Sequence, residues 1–192
     1  MTLRPRGAAP RVLTLPIDTP RLRLRDFKTR DLRAVHAYAS RADVARYMIW
    51  GPNTLEQSRE AIEGFIDDQR RRPRITFDLA ITLRPKGAVV GGVGISITDR
   101  ANHTGDLGYV LHPDCWGLGI AEEAARALLD AGFRELGLHR IFATCDQRNK
   151  ASARVMEKLG MRREGAFLAS KLIHGEWRDE FLYAVLADEF LS

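Results

Sequence analysis

The chain of 192 residues is 45% hydrophobic and 29% charged with a formal net charge of +5, which suits one domain with a substantial core and is short for two. Its two cysteines, Cys115 and Cys145, form no C-x-x-C pair and no His/Cys cluster of metal spacing, which argues against structural zinc and for a reduced, cytoplasmic protein. No apolar run approaches the ~20 residues that span a bilayer, and the start of the chain reads as neither signal peptide nor membrane segment.

Residues 1–18 are rich in Pro, Arg and Ala without a period and read as a flexible tail, with one domain over 19–192. Arg21-Leu22-Arg23-Leu24-Arg25 alternates charged and apolar residues, the period of a strand with one face on the core. Thr29 is positioned to cap a helix through residue 40 with Leu32, Val35, His36 and Ala39 at helical spacing, and His36 there reads as a packed histidine. The aromatic stretch 47–52 ends in a turn, and Asn53-Thr54 can cap a second helix over 55–71 that buries Ile62, Phe65 and Ile66. That elbow either walls an acceptor pocket or fills the core. The arginines at 70, 71, 72 and 74 that follow come without a helix-turn-helix or an aromatic strand platform, so they read as solvated surface and not as a nucleic-acid site.

Residues 75–83 and 88–98 read as two strands around a turn at 84–87. Gly91, Gly92 and Gly94 do not make a dinucleotide fingerprint, and no P-loop occurs. A strand over 105–111 then runs into the stretch that organises the chain, His112-Pro113-Asp114-Cys115-Trp116-Gly117-Leu118-Gly119-Ile120-Ala121-Glu122-Glu123-Ala124. Two glycines allow a tight turn with bare amides, and a helix N-terminus offers unpaired N–H groups and a positive dipole end, so the stretch is either an anion cradle or an ordinary capping loop. Its helix carries Ala121, Ala124, Ala125, Leu128, Gly132 and Leu136 on one face and ends near Gly137. With a strand over 139–145, strand, helix and strand make a parallel crossover, and ligands sit at the carboxyl end of such strands. Asn149 can cap a short helix carrying Ala153, Met156 and Leu159, and strands over 161–173 and 178–186 close the chain as a hairpin.

This order of elements, with a glycine turn before the central helix, resembles the GNAT superfamily of acyl-CoA-dependent N-acyltransferases. Leu107-Gly108-Tyr109, Pro113, the run from Trp116 to Ala124, Asn149-x-x-Ser152, Glu157-Lys158-Leu159-Gly160-Met161 and Glu164-Gly165 look like the branch of the Rim-type ribosomal-protein N-terminal acetyltransferases. The resemblance covers nearly the whole chain from Arg21. It implies an α/β (α+β) fold: one mixed sheet of about seven strands, antiparallel except for a parallel central pair splayed at the cofactor site, flanked by about four helices. It also implies acetyl-CoA as acyl donor, held on the splayed strand at Val110 and Leu111 beside a catalytic Tyr109, and at the loop from Trp116 by the backbone amides of Gly117, Leu118, Gly119, Ile120, Ala121 and Glu122. In the superfamily pattern [QR]-x-x-G-x-[GA] the first position is Trp116 here, which removes the usual polar side chain. Asn149 matches the asparagine on the pantetheine arm, and Ser152 the serine near the cofactor sulfur as general acid.

Transfer from a thioester to an amine needs a neutral amine, a donor for the oxyanion and a proton for the thiolate. A backbone N–H near Tyr109 to Leu111 would be the oxyanion donor, typically worth ~3 kcal/mol. The glutamate expected on the penultimate strand is missing, since that stretch reads Ala169-Ser170-Lys171-Leu172, and Asp106 is the best substitute base. A weak base suffices for an α-amine, pKa near ~8, better than for a lysine near ~10.4, so a protein N-terminal α-amine is favoured as acceptor and a small-molecule amine is the second choice. Cys115 beside the cradle has no partnering base in sequence, so a covalent route is the weaker one and direct attack in a ternary complex the stronger. The competing function is a CoA-binding module of the same fold without catalysis. No metal and no nucleic acid are expected, and a homodimer is left open.

Overall fold

The computed structural model describes residues 12–192. One mixed sheet runs through it in the order β1-β2-β3-β4-β5-β6-β8-β7. The strands are β1 (Ile17–Asp18), β2 (Leu22–Asp26), β3 (Thr76–Leu83), β4 (Ala88–Asp99), β5 (Thr104–Leu111), β6 (Arg140–Asp146), β7 (Arg162–Ile173) and β8 (Glu176–Leu186). The helices are α1 (Leu32–Ala39), α2 (Ala42–Ala45), α3 (Leu55–Arg70), α4 (Ile120–Arg134), α5 (Lys150–Lys158) and α6 (Ala187–Leu191).

The expected sheet is present with one strand more, β1, and two short helices more, α2 and α6. Both the added strand and the expected tail concern the chain start. Residues 1–11 lie outside the described residues, but the rest of the segment read as a tail is packed: Leu13 is buried, and Ile17 and Asp18 pair with Leu24 and Arg23. Pro and Arg in a short segment hid two apolar contacts that tertiary packing uses. A second difference is the start of α1. A 3-10 turn over Thr29–Asp31 precedes it, and the Asp31 carboxylate, not the Thr29 hydroxyl, accepts from the Lys28 N–H at 2.9 Å. The α3 start follows expectation: Thr54 Oγ1 accepts from Gln57 N–H at 3.2 Å, and Gln57 Oε1 accepts from Thr54 N–H at 2.9 Å, a reciprocal cap.

The sheet separates two apolar layers. On one face α4 buries Ala124, Ala125, Leu128 and Leu129 against Leu107, Leu111, Ile95 and Ile141. Leu128 and Leu129 have no exposure at all, and each such leucine contributes about 2 kcal/mol of apolar transfer. On the other face α1 and α3 close a smaller cluster around Phe27, Val35, Tyr38, Ile62 and Ala80, with Phe27 stacked on Phe65 at 4.8 Å between centroids. Because strand side chains alternate, Leu107 and Leu111 belong to the α4 face, while Asp106, Gly108 and Val110 belong to the α1/α3 face.

One irregularity positions everything that follows. β5 pairs with β4 along its whole length but with β6, its parallel neighbour, only through Thr104, Gly105 and Asp106. Beyond Asp106 the two strands part, so from Leu107 onward β5 has one edge without a strand partner.

Candidate active site

The parting strands open a cavity of about 900 Å³ lined from both apolar layers, including Tyr38, Trp50, Asp106, Tyr109, Asn149 and Ser152. Tyr109 projects from β5 toward α5, where its hydroxyl lies 3.0 Å from Ser152 Oγ and 3.1 Å from the Ser152 carbonyl oxygen. Ser152 is held there by the cap of its own helix, because Asn149 Oδ1 accepts from the Ser152 N–H at 3.1 Å. The two residues matched by family pattern, Asn149 and Ser152, are thus joined to the strand residue Tyr109. Burial pushes the Tyr109 phenol up to about 12, so it keeps its proton at any working pH and remains a hydrogen-bond donor.

At the carboxyl end of β5 the chain turns through Pro113–Cys115 into the glycine loop. Gly117 and Gly119 have φ of 73° and 74°, left-handed values that a side chain resists. The first helical bond of α4 is Glu123 N–H to the Gly119 carbonyl at 3.0 Å, so the amides of Gly117–Glu122 stay unpaired among the described residues. A Cβ at Gly117 would meet nothing within 4 Å, which leaves open space in front of those amides. Trp116 and Leu118 are about half exposed beside them. Neighbouring side chains brace the loop from behind: Arg21 donates to the Leu118 carbonyl at 2.9 Å and pairs with Glu123 at 2.5 Å. Glu122 turns toward Arg126 and Lys158, each at 3.6 Å, so it can offer a ligand only its backbone. Trp116, at the position where a polar side chain was expected, donates its indole N–H to the Leu111 carbonyl at 3.1 Å, tying the loop to the end of β5. Ile120 and Leu111 are buried, and Val110 and Ala121 are half-buried at the rim.

The α1/α3 side of the cavity is acidic. Glu60 from α3, Asp78 from β3, Asp106 from β5 and Glu180 from β8 line it, with Lys171 from β7 as a cation among them. Burial pushes Asp106 up to about 6, with Lys171 pulling it down and Glu180 adding to the rise. Burial does the same to Asp78, also to about 6. Glu180 is buried and accepts from Thr144 Oγ1 at 3.1 Å and from Ser170 Oγ at 2.9 Å. The penultimate strand brings no carboxylate to the cavity, but the last strand does, where Glu180 stands opposite Phe167. Neither Glu180 nor Asp78 was singled out in sequence, because each is one acid in a strand and only the cross-strand register brings it to the cavity.

Other sequence candidates fall away. His36 Nδ1 lies 3.0 Å from Ser58 Oγ between α1 and α3, a packing contact. Cys115 is buried, and burial pushes its thiol above the ordinary value, so it is a poor nucleophile. The arginine cluster after α3 is met by local acids: Arg70 pairs with Asp67, Arg71 with Asp68 and Arg74 with Asp26. No group of three or more metal-ligating side chains occurs among the described residues.

Residues 21–162 match the family model described as an acetyltransferase (GNAT) domain. The chain belongs to the GNAT acetyltransferase family. A GNAT relative from Bacillus subtilis (strain 168), named uncharacterized N-acetyltransferase YnaD, is 36% identical over 174 residues, 91% of this chain and 98% of the relative. The solved GNAT-family acetyltransferase from Bacillus anthracis is 37% identical with a TM-score of 0.81, covering 91% of this chain and all of that one. Mycobacterium smegmatis RimJ, solved in complex with CoA-disulfide, is 26% identical with a TM-score of 0.79, covering 89% of this chain and 84% of that one. As a GNAT N-acetyltransferase the protein takes acetyl-CoA as acyl donor, and the bare amides and open space at Gly117–Glu122 fit its pyrophosphate. Among the described residues no helix is long and apolar enough to cross a membrane.

Proposed function

We propose that the protein moves an acetyl group from acetyl-CoA to a primary amine by direct attack, with both substrates held at once in the opening between β5 and β6. The observation that carries this reading is the meeting, in one cavity, of an ionisable half-buried carboxylate, Asp106, with the Tyr109–Ser152 hydroxyl pair. The donor supplies an activated thioester; the residues do the rest. The amides of Gly117–Glu122 hold the pyrophosphate, and the side-chain NH2 of Asn149, whose oxygen is already engaged by Ser152, is free to contact the pantetheine arm. A backbone N–H on the unpaired edge of β5, between Tyr109 and Leu111, donates to the developing oxyanion. Asp106 takes the proton of the attacking ammonium, and with a pKa of about 6 it is mostly ionised at pH 7. Tyr109 and Ser152 donate hydrogen bonds to the departing thiolate. A phenol near 12 lies above an ordinary thiol at about 8.5, so the pair stabilises the thiolate and solvent completes its protonation.

Scarcity of a base was the reason to favour a protein α-amine. With Asp106, Glu180 and Asp78 all lining the cavity, that reason weakens, and a small cationic amine becomes the favoured acceptor. Two buried free cysteines support a reducing, cytoplasmic setting. Release of free thiol from acetyl-CoA, followed over a panel of small primary amines and N-terminal peptides, tests the reading. Transfer to small amines is expected; slow hydrolysis that no amine accelerates, together with tight CoA binding, would favour a non-catalytic CoA-binding module instead.

A further inference from the structure

Of the carboxylates that line the cavity and that the chemistry above does not use, Glu180 and Asp146 are engaged by neighbouring side chains and Glu60 is exposed, which leaves Asp78. Asp78 lines the cavity from β3 and takes part in no hydrogen bond or ion pair with another described side chain. The nearest cation acting on it, Arg74, is committed at 2.8 Å to Asp26 and lies over the Phe77 ring. Lys171 acts on Asp106, two strands away. Within a protein whose overall charge is +5, this is an accessible anion in a half-apolar cavity with nothing of its own to neutralise it.

The floor between Asp78 and Asp106 is built from two glycines, Gly94 and Gly108, and one small side chain, Ser96 opposite Asp106. Asp78 stands opposite Gly94, and Gly94 opposite Gly108, while Asp106 lies two residues before Gly108 on the same face. A Cβ at Gly94 would come within 2.5 Å of Asp78 Oδ1, whereas one at Gly108 would meet nothing within 4 Å. The glycines keep the Asp78 carboxylate in place and leave a bare strip of sheet from it toward the reacting end. Phe27, Phe65, Trp50 and Tyr38 wall the cavity above that strip, which suits an aliphatic chain. Two strand spacings of ~4.8 Å and two residues of ~3.4 Å separate the Asp78 and Asp106 Cα atoms by ~12 Å; less ~2.8 Å of contact at each end, roughly four to five methylenes fit between two nitrogens.

We propose that Asp78 is a specificity residue that binds a second ammonium group of the acceptor, so that the preferred substrates are α,ω-diamines and not simple monoamines. One amine reaches the splayed end beside Asp106 and is acetylated; the other stays charged and pairs with Asp78 across the glycine strip. The inference rests on the acetyl-transfer reading above and specifies the acceptor of that same cavity.

The experiment compares kcat/KM for cadaverine and pentylamine, which share a five-carbon chain and differ only in the distal ammonium. Wild type should prefer cadaverine by about tenfold or more, the worth of one charge-assisted contact. Asp78→Asn should bring that ratio to near one, chiefly through KM, and Asp78→Glu should retain part of it. Gly94→Ala, which displaces the carboxylate without removing it, should lower the ratio as well. Equal use of the two amines by wild type, or an Asp78→Asn variant with an unchanged ratio, overturns the diamine inference while leaving acetyl transfer intact. No thiol release with either amine or with any peptide overturns the reading on which it rests.

Discussion

The proposed donor site is a run of consecutive backbone amides, Gly117–Glu122, whereas the proposed acceptor cavity draws Glu60, Asp78, Asp106 and Glu180 from α3, β3, β5 and β8. The first is local and uses main chain; the second is distributed and uses side chains. A fixed ligand such as CoA can be met by a backbone shape that depends on two glycines and one helix start. A variable ligand is met by side chains, any one of which can change without disturbing the sheet beneath it. The difference also shows in electrostatics. The cradle gathers partial positive charge from unpaired N–H groups, while the acceptor cavity gathers carboxylates and raises two of them to about 6 by burial.

This contrast can be broken by substitution at either end. The largest expected effect is at Asp106. Asp106→Asn should lower kcat by about 100-fold or more, the usual loss of a general base, and should remove the rise of kcat with pH that wild type shows through about 6 as Asp106 ionises. The same change should stabilise the fold at pH 8. A carboxyl whose folded pKa is raised is neutral in the native state between its unfolded and folded values, so its favourable contribution is complete below the unfolded value and is lost as pH rises through about 6. Discounted for partial solvent access, ionising it costs the native state about 1–2 kcal/mol, which thermal denaturation of wild type and variant at pH 5 and pH 8 would measure. A variant equally active and no more stable at pH 8 would remove Asp106 from its role.

At the other end, Gly119→Val puts a branched side chain at φ 74° in the cradle. The expected result is a loss of about tenfold or more in CoA affinity by calorimetry, from strain and blocked amides together, with the cadaverine to pentylamine preference retained. A fall in that preference would mean that the two ends are not separable. The smallest effect concerns the bridge between them. Asn149→Ala removes the cap on Ser152 N–H and should cost about 1 kcal/mol of stability, with a few-fold rise in KM for acetyl-CoA; chemical denaturation and initial rates report the two separately.

How much of this could be read from sequence follows the same division. The strands from β2 to β8, the crossover, the glycine turn before α4 and the Asn149 cap were legible because each depends on neighbouring residues: an alternating period, a turn pair, or a cap beside its helix. The pairing of Tyr109 with Ser152 was half legible, as two residues of interest whose contact needs the β5–α5 packing. Asp78 and Glu180 were not legible, since nothing near them in the chain marks them. Their meaning comes from register, Asp78 against Gly94 and Glu180 against Phe167. β1 was missed for a related reason: two residues are too few to show a period, and β2 alone gives them a partner.

The parting of β5 and β6 has a consequence for how the protein behaves at high concentration. A strand edge with free N–H and C=O groups invites pairing with another chain, and proteins normally guard such edges. β7, the outer edge beside β8, carries Arg162, Arg163 and Lys171 and departs from regular pairing in two places, which are familiar guards. The free edge of β5 carries none, yet α4 packs on β5 and α5 on β6, so the gap is flanked by helices and by β6 itself, which leaves little room for a second protein to insert a strand. Enclosure lets this edge stay unpaired for a slender guest without making the protein prone to aggregate.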